Sequence, residues 1–164
     1  MLALAAALAL AQAPATPETA PLDLERYLGT WYEIARFDSF FQRGCWASSA
    51  NYSKRDDGEL RVINLCHEDS PKGKLKRAEG KAWVVDPKEP GKLAVQFLWP
   101  FSGPYWVLEV APDYSWALVG HPKKSSCWVM SRTPKMDEAL YAQLVKKLEA
   151  RGYDTSKLLR AGAE

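Results

Sequence analysis

The chain has 164 residues, of which 22 are basic and 20 acidic, for a formal charge of +2. That length fits one domain, and so even a balance excludes the concentrated basic face that a nucleic-acid partner needs. The one basic cluster, Lys72 to Lys81, is interrupted by Gly73, Leu75, Ala78 and Glu79 and reads as a solvated hairpin.

In chain order, Met1–Ala15 is rich in alanine and leucine, and the sequence then becomes Pro- and Thr-rich through Pro21. The apolar run is shorter than the ~20 residues that span a bilayer. Ala11-Gln12-Ala13 fits the small-x-small pattern of a cleaved secretory signal, although no Lys or Arg precedes Glu18. Residues 1–21 are therefore read as a signal segment and linker, and 22–164 as the folded domain. The expectation is an exported protein, periplasmic or secreted, with no lipoprotein cysteine in this segment.

Short strands follow, separated by turn signals. They are expected at Thr30–Phe37, Cys45–Lys54, Glu59–Cys66, Lys76–Val85, Leu93–Trp99, Tyr105–Val110, Ser115–Gly120 and Ser126–Ser131. Between them lie Asp57-Gly58, Ser70-Pro71, Asp86-Pro87, Pro90-Gly91, Ser102-Gly103-Pro104, Ala111-Pro112-Asp113 and His121-Pro122. Many evenly spaced short strands predict a sandwich or a barrel. Leu140, Leu144 and Leu148, with Tyr141 and Val145, then recur at helical spacing, with Thr133-Pro134 as a start and Gly152 as a stop. Such a helix needs an apolar surface, and the outer wall of a barrel offers one. A short strand around Ser156–Arg160 is expected to end the fold.

Two features mark one end of that barrel. Gly29-Thr30-Trp31 opens the first strand with an indole, and Arg132 closes the eighth. A guanidinium stacks on an indole face and donates several hydrogen bonds in its plane, so the pair would plug the barrel and leave a cup. Alternation then turns Trp31, Glu33, Ala35 and Phe37 inward on the first strand, and Ser48, Ala50 and Tyr52 on the second. Leu60, Val62 and Asn64, then Ala82 and Val84, then Leu93, Val95, Phe97 and Trp99 continue the lining. Tyr105, Val107, Ser126, Trp128 and Met130 complete it. This composition suits a ligand cavity with a few polar handles, and an eight-stranded barrel holds one small ligand. A filled core has the same composition, so periodicity leaves both readings open.

Cys45, Cys66 and Cys127 are an odd count. The Cys45–Cys66 pair flanks the hairpin at Asp57-Gly58 and is the expected disulfide, although plain alternation sets the two on opposite faces unless a bulge intervenes. Cys127 is expected as a packed free thiol. Catalytic and metal chemistries find little support. Only His67 and His121 could act as a histidine base, and no Gly-x-Ser-x-Gly elbow occurs. Cys66-His67-Glu68-Asp69 has no second Cys/His pair at metal spacing. Glu33 is read as a buried carboxylate paired at the closed end, with Arg36 and Arg132 as the partners considered. Phe40, Phe41, Trp46, Phe101 and Tyr105 are placed around the open rim, either guiding an acyl chain or touching a membrane interface, or packing beneath the loops.

Taken together, Leu24 to Tyr27, Gly29 to Arg36, Phe41-Gln42-Arg43-Gly44, Ala50 to Ser53, Val62-Ile63-Asn64, Glu79 to Ala82, Tyr105 to Leu108, Asp113-Tyr114 and Trp128 to Pro134 resemble the lipocalin family. The resemblance is to its bacterial outer-membrane and apolipoprotein D branch and runs from about Leu22 to Tyr153. It implies an all-β fold: an eight-stranded antiparallel up-and-down barrel with one C-terminal α-helix packed outside. It also implies binding, transport or sequestration of small hydrophobic or amphipathic lipids such as fatty acids or lysophospholipids. By motif match Trp31 and Arg132 are the structural pair at the closed end, and Tyr52, Asn64 and Trp128 face the ligand. Ala50, Val62, Val84, Val95, Phe97, Tyr105 and Met130 are added from alternation as further ligand-binding residues. Pro112 stands where the family commonly has Thr, which puts that turn's hydrogen bonding in question. No catalytic residue, metal or cofactor is expected, and the state is monomer or dimer. The alternatives are an enzyme on this fold, using Tyr52, Glu33 or Cys127 on its ligand, and a filled barrel that binds a protein through its rim.

Overall fold

A computed structural model describes residues 16–161; the expected signal sequence, within Met1–Ala15, lies outside them. The short helix α1 (Leu24–Tyr27) is capped by Asp23, whose carboxylate accepts from the amides of Glu25 and Arg26. Eight strands follow: β1 (Gly29–Phe37), β2 (Cys45–Lys54), β3 (Leu60–Glu68), β4 (Leu75–Val84), β5 (Lys92–Leu98), β6 (Phe101–Val110), β7 (Trp116–Gly120) and β8 (Cys127–Ser131). Each pairs antiparallel with the next, and β1 pairs with both β8 and β2, so the sheet closes on itself. The expected eight-stranded barrel is present. Closure leaves no long free edge to aggregate.

The helix α2 (Glu138–Ala150) lies outside the barrel, as expected, but starts later than Thr133-Pro134 suggested. Asp137 is its N-cap, accepting from the Leu140 amide at 3.0 Å. Leu144 and Leu148 are fully buried against Ile34, Leu118 and Val129 on the outer wall. Glu109 on β6 accepts from Lys147 and Arg151 at 2.6 Å each and fixes the helix along the strands. The strand β9 (Leu158–Arg160) extends the sheet beside the second half of β1, pairing Ala35 with Arg160.

Four register shifts interrupt the ladders, and two of them alter the facing expected from alternation on β1 and β2. The β1–β8 register shifts between Glu33 and Ala35. Ile34 and Ala35 therefore both pack outside under α2, and Phe37 joins them. The inward placement of Ala35 and Phe37 is corrected by this bulge, while Arg36 turns inward opposite Trp128. On β2 the register shifts between Trp46 and Ser49, at Ala47 with φ 48°. The extra residue places Cys45 opposite Glu68. Cys45 and Cys66 now share a face and form a disulfide, with Cα atoms 5.3 Å apart. A third difference lies in β6, where Ser102-Gly103-Pro104 is strand and not turn, Gly103 pairing with Val95. The turn at Pro112 forms with hydrogen bonds intact: the Tyr114 amide donates to Ala111 O at 2.8 Å, and Arg26 donates to Pro112 O.

Ahead of α1, the Ala20 amide donates to Val107 O at 2.8 Å, and Ala20 and Leu22 are buried. The chain is thus strapped to the barrel wall before the first helix.

Candidate functional site

The barrel floor is a stacked aromatic plug. The guanidinium of Arg132 lies 3.8 Å from the Trp31 ring centroid. In its plane it donates to the carbonyls of Thr30 at 3.0 Å, Arg26 at 2.7 Å and Tyr114 at 3.3 Å. Stacking and planar donation together are what an arginine can do and a lysine cannot. Gly29 sits at φ +93°, and a Cβ there would meet Arg132 Nη1 at 3.4 Å, so the motif's glycine serves both turn and contact. Trp31 donates from its indole to Tyr27 O at 2.8 Å, and the two rings lie 4.8 Å apart.

From that plug an aromatic column rises through the interior. Tyr27 meets Tyr52 at 5.4 Å, Tyr52 meets Tyr105 at 6.0 Å, and Tyr105 meets Trp128 at 6.3 Å. The hydroxyls of Tyr27 and Tyr105 share a hydrogen bond of 3.0 Å. Burial raises all three phenols: Tyr52 is pushed up to about 12, and Tyr27 and Tyr105 stand well above the usual value. Tyr105 therefore belongs to the interior and not to the rim. Tyr27 was not among the expected lining residues; its place after a capped turn and four residues before Trp31 was the available signal.

Of the residues expected to face the cavity, Ala50, Tyr52, Val62 and Met130 lie within the buried inner cluster. Val84, Val95, Tyr105 and Trp128 pack against that cluster and are only half-buried. Asn64 is half-buried opposite Ala50 and Ala78. Phe97 lies across the inner wall, where a Cβ on Gly80 would approach its ring to 2.8 Å. It is nevertheless 41 % exposed. Gly103, on the inward side opposite Val95, has nothing within 4 Å of its Cβ direction. The interior is thus packed below, while inward residues of the upper β3–β6 wall stay half-buried or exposed. Two clefts, of about 330 and 420 Å³, lie outside the barrel where residues 16–21 meet β6 and the end of α2.

The upper end carries a polar bridge. Glu33 pairs with Arg36 at 2.6 Å and accepts from the Gln42 carboxamide at 2.8 Å. Gln42 in turn accepts from the Trp128 indole at 3.2 Å. Gln42 ends a 3-10 turn, Phe40–Gln42, in the β1–β2 loop, so this loop reaches down into the barrel. Arg36 is one of the two partners considered for Glu33, and the pair lies toward the mouth rather than at the closed end. Gln42 was not anticipated as its partner. Around it the loops of this end expose Phe40, Phe41, Leu98, Trp99 and Phe101, with Phe41 at 93 % and Trp99 at 82 %. Trp46 is half-buried.

Cys127, Cys66 and His121 are engaged elsewhere. Cys127 packs outside the barrel under α2, and burial pushes its thiol up to about 12. Cys66 has no thiolate to offer a metal, being in the disulfide. His121 receives the Lys123 amide on Nδ1 at 3.0 Å, and its pKa is lowered by burial and by Lys123.

A closed eight-stranded antiparallel barrel with a plugged floor and a helix packed outside is the architecture of the calyx class of β-barrels. The chain belongs to the lipocalin family: the model of the Lipocalin-like domain matches residues 22–163. It is 44 % identical over 146 residues to temperature-induced lipocalin-1 of Arabidopsis thaliana, covering 84 % of this chain and 77 % of that protein. It is 40 % identical over 137 residues to the outer membrane lipoprotein Blc of Escherichia coli K12, with the same shares covered. Among solved structures, insecticyanin of the tobacco hornworm Manduca sexta shares the fold, with a TM-score of 0.69 and 22 % identity over 93 % of this chain and 87 % of that one.

Proposed function

We propose that this protein binds a small hydrophobic or amphipathic lipid, a fatty acid or lysophospholipid, in the upper half of its barrel and carries or sequesters it without chemical change. The observation that carries this reading is Gly103, an inner-wall residue whose side-chain direction meets no atom. Phe97 and Trp128 would flank the acyl chain there, with Asn64 as a donor and acceptor for its polar end. Each methylene buried contributes roughly 0.8 kcal/mol before ordering costs, so part of an acyl chain suffices for micromolar binding. Gly103→Phe should fill the space and abolish uptake of a fluorescent fatty acid while the thermal unfolding curve stays in place. Unchanged uptake by a folded Gly103→Phe variant would sink the reading. Native mass spectrometry of gently purified protein would identify the natural lipid.

The disulfide supports an oxidising compartment outside the cytoplasm, periplasmic or secreted. A relative named as an outer membrane lipoprotein supports export as well. The exposed aromatics gathered on the mouth loops favour transient contact with a membrane surface, where a lipid could be exchanged. Replacing Phe40 and Phe101 by Ser should then weaken association with lipid vesicles in a flotation assay, and unaltered flotation would remove that contact.

A further inference from the structure

The strand β1 treats its two neighbours differently. Toward β8 its ladder runs as far as Arg36 opposite Trp128, but toward β2 it stops at Tyr32 opposite Ser49. Above that point the seam opens, and Arg36 bridges it. Its Nη2 donates to the carbonyls of Gln42 at 3.1 Å and Cys45 at 3.5 Å, and its Nη1 donates to Glu33 at 2.6 Å. Of its three nitrogens, Nε is the one that is buried with no acceptor among the described residues. Ser48, the next inward position of β2 above Ala50, has a buried hydroxyl that is equally unpartnered. Both residues are more than nine-tenths buried.

Buried donors without acceptors are rare because each forfeits its hydration without replacement. Two at one opened seam, beneath the loop that covers the mouth, fit an oxygen supplied from outside the chain. The charge of that oxygen is constrained. Glu33 already neutralises Arg36, so a carboxylate or phosphate would bring an unbalanced negative charge into a buried site beside Glu33. A carbonyl or hydroxyl oxygen accepts from either donor without that cost, and an ester head carries more than one such oxygen. We infer that Arg36 Nε and Ser48 Oγ form a polar subsite for the uncharged oxygen-bearing head of an acyl ligand, such as the ester of a monoacylglycerol. This rests on the calyx reading above and shifts its preferred ligand from the free acid to an uncharged acyl ester.

The test uses displacement of 1-N-phenylnaphthylamine, an apolar fluorescent probe that reports occupancy of the barrel without needing a head group. Monooleoylglycerol and oleic acid, which share one acyl chain, are titrated against it. The unaltered protein should bind monooleoylglycerol more tightly than oleic acid. Ser48→Ala and Arg36→Lys, the latter keeping a cation for Glu33 while losing Nε, should each weaken monooleoylglycerol by about fivefold, the worth of one hydrogen bond. Probe affinity should not change. Probe uptake with oleic acid displacing as well as the glyceride, or with Ser48→Ala binding the glyceride normally, overturns the subsite and leaves the calyx standing. Failure of the probe to enter the unaltered protein overturns the calyx, and the subsite with it.

Discussion

Trp31 and Phe97 face into the same barrel, yet Trp31 is fully buried and Phe97 is 41 % exposed. The lower interior is filled by Trp31, Tyr27, Leu60, Leu93 and Val107, drawn from four strands and α1. On the upper β3–β6 wall the inward positions include Ala78, Gly80 and Gly103; the Phe97 ring covers Gly80, and nothing lies within 4 Å of the side-chain direction of Gly103. Strand number sets the barrel's width, and side-chain size then decides whether a given level is core or container. One barrel can therefore combine a tightly packed base with an upper level whose inward residues stay half-buried or exposed.

The sharpest way to break this contrast is to cut one aromatic from each level. Trp31→Ala should cost about 3–5 kcal/mol, since it empties a fully packed site and strands the Arg132 guanidinium. Phe97→Ala should cost less than about 1 kcal/mol, because its ring already meets solvent. Urea unfolding of the two variants measures both. Comparable losses would mean that the upper level is core after all.

A second test concerns what holds the upper level together where packing is thin. The Cys45–Cys66 bridge ties the start of β2 to β3 beneath the mouth loop, closing a loop with a sequence separation of 21. Replacing both cysteines by Ser should lower stability by about 3 kcal/mol, chiefly by loosening the unfolded chain. Hydrogen exchange should quicken around residues 38–48 while the amides of Trp31 and Ala82 keep their protection. Uniform loosening of both levels would refute the division.

The floor was legible in the sequence because it depends on residue identity. Gly29, Trp31 and Arg132 have few other uses in that arrangement, and their roles carry over directly into stacking and hydrogen bonds. The strand order was legible as well, since turn residues punctuate it. Facing was less so, because a bulge inverts every residue after it. The polarity of β1 did carry the signal: Ile34 and Ala35 are apolar neighbours, followed by Arg36 and then Phe37, which breaks simple alternation at the bulge itself. The Cys45–Cys66 pairing shows the reverse case, where the need for a bulge was visible but its location at Ala47 was not. Gly103 was misread because Gly and Pro in series signal a turn, whereas here Gly103 sits in a strand with no side chain to fill the barrel. Gln42 could not be found by pattern, since its contacts with Glu33 and Trp128 depend on how a loop folds over the mouth.

The smallest expected effect isolates the floor by its chemistry. A free tyrosine titrates at about 10, and burial pushes the Tyr52 phenol up to about 12. A raised phenol holds its proton longer in the folded state than in the unfolded one. Stability tied to it is thus fully present below pH 10 and is lost as pH rises from 10 toward 12. At about pH 11 that loss amounts to about 1 kcal/mol for Tyr52, with Tyr27 and Tyr105 adding in the same direction. Tyr52→Phe removes one titrating group, so its stability should fall less steeply with pH than that of the unaltered protein over this range. Urea midpoints taken from about pH 8 to about pH 11 give the two slopes. Parallel slopes would show that Tyr52 meets water in the folded protein, and the boundary between packed floor and open calyx would then have to be drawn below it.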